Sequence, residues 1–267
     1  MLFFYPVWSL LHLPLESALE KVKEAGYDGA ELAIDPHKMD LAEVQELFKK
    51  YQLTLLAQHP FSNGKNFEEY REDYRQKLTL ISQLDTPYIN CHTGRDYYTF
   101  EQNLSLLKIA SQIGRDSQMS IGHEIHRGRF SFHPKVFAPY LAAHPEVRIT
   151  ADFSHWCVVT ESLLTHFQPE LEATYSHTLH IHARVGDGES PQVNDPFAPE
   201  HLDALNRHIE WWKAISDLSQ TKDRPLLITC EGGPPPYQQT LPYSQMPVSD
   251  VWEINLKMKN LLTLELT

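Results

Sequence analysis

The sequence is short of several things that would place a protein quickly. Of its 267 residues only three are cysteine, Cys91, Cys157 and Cys230. They lie far apart with no C-x-x-C spacing, which argues against a disulfide framework and a thiolate zinc site. A reducing, cytoplasmic setting is the expectation. Positive charge is scarce too, 23 Lys and Arg against 35 Asp and Glu for a net charge of −12. The basic residues form no stripe that would grip a phosphate backbone, so no nucleic-acid partner is expected. No apolar run approaches the roughly 18 residues of a membrane span, and no membrane partner is expected. The apolar opening, residues 1–15, has no basic start and is broken by Pro6, His12 and Pro14; it reads as a first strand rather than a signal peptide. No G-x-G-x-x-G follows it, which weakens a dinucleotide site.

What is present is ordinary globular material, 42% hydrophobic and 22% charged, in a chain long enough to bury its own core as a single domain over residues 1–267. Short apolar runs recur at residues 2–5, 30–34, 53–57, 88–91, 119–122, 147–151, 179–183 and 226–230. Between them lie stretches of helical period, such as 41–51 with Leu41, Val44, Leu47 and Phe48 on one face. Asp40 can cap that helix, and Gly26 can end the one before it. Strand then helix, eight times over, implies parallel pairing and a (β/α)8 TIM barrel of the α/β class, with an open doubly wound sheet as the alternative. Two long loops, residues 186–199 and 232–247, follow the seventh and eighth strands. Loops above roughly 12 residues without regular structure are usually functional, and the first is expected to fold over the barrel mouth.

Strand after strand ends in an ionisable group: His59, His92, Glu124, Asp152, His182 and Glu231. Singly, each has a bland reading, since a strand-end histidine is commonly a hydrogen-bonded structural residue and a carboxylate commonly caps the next helix. Closing the sheet into a barrel, however, gathers these ends around one mouth, where barrel enzymes place their chemistry. Carboxylates converging there repel and resist ionisation unless something neutralises them. A divalent cation does so. The set Glu124, Asp152, His182 and Glu231 suits Mn²⁺ or Mg²⁺, and its imidazole also admits Co²⁺, Fe²⁺ or Zn²⁺.

At these residues the sequence resembles the xylose isomerase-like TIM barrel family, which includes sugar and sugar-phosphate isomerases and epimerases and, more distantly, the endonuclease IV group. The matching segments are Gly26-Tyr27-Asp28-Gly29-Ala30-Glu31-Leu32, His123-Glu124-Ile125-His126-Arg127-Gly128-Arg129, Asp152-Phe153-Ser154-His155, His180-Ile181-His182-Ala183-Arg184 and Cys230-Glu231-Gly232-Gly233-Pro234. The resemblance to the ketose 3-epimerase branch implies one divalent metal ion held by Glu124, Asp152, His182 and Glu231, with His182 rather than His180 as the ligand. It also implies substrate binding by His155, and a homodimer. Where those epimerases carry Asn-Arg after the histidine, this chain has Arg184-Val185-Gly186-Asp187, so the motif leaves the sugar unspecified.

His59, His92, Arg127, Arg184 and Trp156 are further substrate-binding candidates, with Arg95 and Trp8 beside them. A guanidinium can clamp a hydroxyl, carboxylate or phosphate, and an indole can stack on a sugar ring. The expectation is a metal-dependent isomerase or epimerase of a small carbohydrate, with Glu124 and Glu231 as the catalytic acid and base working through an enediolate. The alternatives are a metal-dependent hydrolase of the endonuclease IV-like branch and a non-catalytic sugar-binding barrel.

Overall fold

In the computed structural model, which describes residues 1–219 and 224–266, eight parallel strands pair in chain order and close into a barrel through β1 and β8. The strands are β1 Leu2–Pro6, β2 Gly29–Ala33, β3 Thr54–His59, β4 Ile89–Cys91, β5 Ile121–Glu124, β6 Ile149–Ala151, β7 Thr178–His182 and β8 Leu227–Thr229. Helices α1 Leu15–Glu24, α2 Leu41–Lys50, α3 Phe67–Ile81, α4 Phe100–Ser117 and α5 Pro134–Ala143 follow the first five strands. After β6 come two short helices, α6 Ser154–Thr160 and α7 Gln168–Tyr175; α8 Leu202–Ser219 and α9 Val251–Glu265 complete the ring.

Local chemistry sets the ends of these elements. Asp40 caps α2 by accepting from the amides of Ala42 (2.9 Å) and Glu43 (3.2 Å). Gly26 closes the turn after α1 at φ +70°, a conformation that favours glycine. The fifth strand begins two residues later than its apolar run. Gln118 takes a left-handed φ of 56° and the Met119 amide bonds back to Gly114 at 2.8 Å, so the end of α4 absorbs the start of that run.

Inside the barrel, Phe4, Leu56, Tyr88, Leu179 and Leu227 form an apolar plug. Gly122 leaves room for it, since a Cβ there would stand 1.7 Å from the Tyr88 hydroxyl oxygen. Above the plug runs a polar belt in which Tyr88 Oη meets Thr150 Oγ1 at 3.0 Å, Thr150 meets His180 Nδ1 at 3.2 Å, and His180 Nε2 meets Thr229 Oγ1 at 2.8 Å. The larger core lies between strands and helices and takes in Cys91, Cys157 and Cys230, all free and buried thiols.

Buried histidines in this outer layer, His59, His123 and His208 among them, make stability depend on pH. Burial pushes His59 down to about 3 and His208 to about 4, whereas an unfolded histidine titrates near 6.5. Below pH 6.5 the unfolded chain therefore binds more protons. Stability present at neutral pH is lost as pH falls toward the folded values, by up to about 1.4 kcal/mol per pH unit for each histidine. Urea unfolding followed at pH 7 and pH 5 is expected to give the lower stability at pH 5. A His59→Asn, His208→Leu double variant is expected to flatten the slope.

Candidate active site at the barrel mouth

The carboxyl ends of the strands open into a cavity of about 230 Å³ whose lining includes Trp8, Gln58, His92, Glu124, Glu231 and Tyr237. That is below the roughly 300–1,000 Å³ typical of drug-sized ligands, so the cavity suits a small molecule. Behind the lining residues Glu124 and Glu231 stands His182, the last residue of β7. Its Nδ1 lies 2.6 Å from Glu231 Oε2, 3.7 Å from Glu124 Oε2 and 3.9 Å from Asp152 Oδ2. All four residues are buried. His182 Nδ1 and Glu231 Oε2 face each other at 2.6 Å across one small volume, and neither makes a well-formed hydrogen bond to any other group.

The sequence reading missed a fourth carboxylate. Glu31 of β2 is buried and lies with Oε2 at 2.9 Å from His182 Nε2. Asn90 of β4 ties the group together, its Nδ2 donating to Glu31 Oε1 at 3.1 Å and to Glu124 Oε2 at 2.7 Å. The signal was a lone acid in the apolar run Ala30-Glu31-Leu32, a placement that an unpaired carboxylate almost never takes in a core. His180 is separated from His182 by its partners: both of its ring nitrogens are engaged by Thr150 and Thr229.

Four buried carboxylates face one buried guanidinium, that of Arg184, and the imbalance sets the electrostatics. Burial opposes a charge on His182, yet Glu231, Glu31 and Glu124 together hold its pKa well above the ordinary value. Burial raises Asp152 to about 7, with Arg184 pulling it down and the charges of Glu231 and Glu124 pushing it up. Glu124 is held well below the usual carboxylate range, against its burial, by His92 and His182. The cluster calls for added positive charge. His182 Nδ1 and Glu231 Oε2, with no well-formed hydrogen bond to any other group, and a donor set of carboxylate oxygens with one imidazole fit a divalent cation. Asp152, His182 and Glu231 each offer a ligand atom within 4.8 Å of the others.

The remaining candidates divide. His92 Nε2 lies 2.9 Å from Glu124 Oε2 at the cavity wall. Arg184 Nη2 pairs with Asp152 and lies 3.5 Å from Glu231. His155 sits fully buried beside it, its Nε2 accepting from Arg184 at 2.9 Å. Arg127 is at the rim, 5.1 Å from the centre of the Tyr237 ring. Arg95 instead bonds Ser62 O and lies over Tyr70.

Two expectations need correction. Neighbouring strand residues face opposite sides, and Gln58 rather than His59 points into the barrel; His59 packs outward against Tyr74 with Nε2 at 2.7 Å from Ser62 Oγ. Trp156, on the first turn of α6, is fully buried between Phe137 and Phe153 and donates to Ser131 O at 2.8 Å, so it roofs no ligand. Tyr237 and His126, also missed, line the cavity and meet through Tyr237 Oη and His126 Nε2 at 3.3 Å.

The loop 186–199, expected to fold over the mouth, is latched to the β8 loop. Gln192 donates to Gly233 O at 2.9 Å and accepts from Gly233 N at 2.8 Å. Position 233 suits glycine because a Cβ there would stand 2.0 Å from the Trp8 ring. Gln192→Ala is expected to destabilise the protein by about 1–3 kcal/mol, the penalty for leaving buried backbone groups unpaired. It should also raise protease sensitivity in both loops; a variant as stable and as resistant as the parent would show that the latch is incidental.

Fold and site together define a closed (β/α)8 barrel with a buried carboxylate–imidazole cluster at the carboxyl ends of its strands. The chain belongs to the xylose isomerase-like TIM barrel family, whose sequence profile matches residues 19–242. Its solved structural neighbours include a D-allulose 3-epimerase from Methylomonas sp. in complex with D-allulose, at 13% identity and TM-score 0.67, covering 99% of this chain and 97% of that one. They also include a xylose isomerase-like TIM barrel protein from Mycobacterium smegmatis in complex with magnesium, at 10% identity and TM-score 0.62, covering 94% and 89%. Endonuclease IV from Thermus thermophilus aligns at 12% identity and TM-score 0.54, covering 100% and 99%. At these identities the likeness is one of fold. No curated protein matches the chain by sequence, and among the described residues no helix is long and apolar enough to cross a membrane.

Proposed function

We propose that this protein is a divalent-metal-dependent isomerase or epimerase of a small sugar or sugar phosphate. The observation that carries the reading is the convergence of one oxygen each from Glu124, Asp152 and Glu231 within 4 Å of His182 Nδ1. Membership of the family and the epimerase named among its structural neighbours support it. Glu124, Asp152, His182 and Glu231 would hold the cation, which when bound supplies Lewis-acid polarisation of a carbonyl.

The chain's own residues do the rest. Glu231 and Glu124 both line the cavity. One takes a proton from the carbon beside the carbonyl, and the other returns a proton to the resulting enediolate. Trp8 and Tyr237 meet edge to face with ring centres 5.5 Å apart and give the substrate an apolar wall that excludes water. Arg184 and His92 donate to substrate oxygens. A panel of ketoses, aldoses and inososes, free and phosphorylated, incubated with metal-loaded protein in ²H₂O and read by NMR tests the assignment. Interconversion of at least one pair is expected, and a panel left wholly unchanged would count against it.

A further inference from the structure

We propose that Glu31 is a positioning residue that fixes the tautomer and orientation of His182, so that Nδ1 presents its lone pair to the cation while Nε2 carries the proton. This rests on the metal-site reading above and concerns a residue outside the proposed ligand set. His182 Nε2 has three neighbouring polar atoms, Glu31 Oε2 at 2.9 Å, Glu31 Oε1 at 3.1 Å and Asn90 Nδ2 at 3.3 Å. Asn90 Nδ2 is itself a donor, committed to Glu31 and Glu124, so it cannot receive a proton from the imidazole. The Nε2 proton therefore has only the Glu31 carboxylate to go to. A cation displaces the other ring proton, and the nitrogen left unprotonated is then Nδ1, which faces Glu124, Asp152 and Glu231.

The arrangement is rigid. Glu31 is clamped by Asn90 and buried to 4% exposure, and His182 has no solvent-facing edge through which to turn. Below it, His180 takes its own partners from Thr150 and Thr229 and so leaves Glu31 to His182. A carboxylate that accepts from the distal nitrogen of a ligating imidazole also makes the proximal nitrogen more basic.

The test measures Mn²⁺ affinity on chelator-treated parent, Glu31→Gln and Glu31→Ala proteins by the free-Mn²⁺ EPR signal. It adds ¹⁵N NMR of the histidine rings in the Zn²⁺-loaded forms. Glu31→Gln keeps a carbonyl acceptor and is expected to weaken binding about 10-fold, and Glu31→Ala about 100-fold, the range seen for outer-shell partners. The parent should show His182 protonated at Nε2 alone. Equal Mn²⁺ affinity in all three proteins, or a parent His182 protonated at Nδ1, overturns the assignment of Glu31 and leaves the metal site standing. A parent that takes up no Mn²⁺ overturns the metal site and this role with it. Should Glu31→Ala fail to fold, Glu31→Gln together with the parent spectrum decides.

Discussion

Chelator-treated protein is expected to take up one equivalent of Mn²⁺, and Asp152→Asn or Glu231→Gln to weaken that uptake by more than the roughly 100-fold upper range for outer-shell partners. Each variant removes a carboxylate oxygen that lies within 4 Å of His182 Nδ1, so the loss falls on the donor set itself. Without metal, Asp152→Asn relieves the repulsion from Glu231 and Glu124 but gives up the pair with Arg184, and Glu231→Gln gives up the contact with His182, so neither variant is expected to exceed the parent in stability. With metal at a thousand times its Kd, the parent alone gains about 4 kcal/mol from binding. Elemental analysis after reloading and thermal unfolding with and without Mn²⁺ read both effects. Variants that bind as tightly as the parent would remove the basis of the site.

Glu124→Gln and Glu231→Gln, assayed at saturating metal, are each expected to lower turnover by about 10²–10⁴-fold, the range attributed to a positioned acid or base. The fold should survive, because each replacement keeps the shape of a side chain whose backbone sits at or just beyond a strand end. During turnover by the parent, solvent deuterium should enter the product at the carbon next to the carbonyl. Product formed without label would mean that hydrogen moves directly between carbons. The two glutamates would then lose their proton-transfer roles even if the metal site held. The environments of the pair differ: Glu124 Oε2 receives Asn90 at 2.7 Å and Gln58 at 3.4 Å, whereas Glu231 Oε2 lies 2.6 Å from His182 Nδ1 and 3.5 Å from Arg184 Nη2.

Much of this was legible in the residues. The eight apolar runs alternate with helical stretches, and each predicted strand exists, because alternation of period and segment length is a property of the sequence itself. The ends of β5 to β8 carry their acids and histidine where a barrel must gather them, so Glu124, Asp152, His182 and Glu231 could be grouped before any geometry. What failed depended on a register of one residue or on a partner distant in the chain. His59 and Gln58 are adjacent, and only the pairing of β3 with β2 and β4 decides which faces inward. Trp156 follows the right strand but belongs to a helix whose first turn points it into the core. Glu31 and Tyr237 join the site from β2 and from the loop after β8; a lone acid in an apolar run marks Glu31 as paired, but nothing local names His182 as its partner or sets Tyr237 beside Trp8.

The ring of strands closes where β1 pairs with β8, which gives the acidic cluster a place in time. Glu31 stands near one end of the chain and Glu231 near the other, with Glu124 and Asp152 between, so no single βα unit holds these charges. Glu31 and Glu231 flank the two nitrogens of one imidazole only in the closed ring. A counter-charge that binds only that ring is expected to slow its opening more than it speeds its closing.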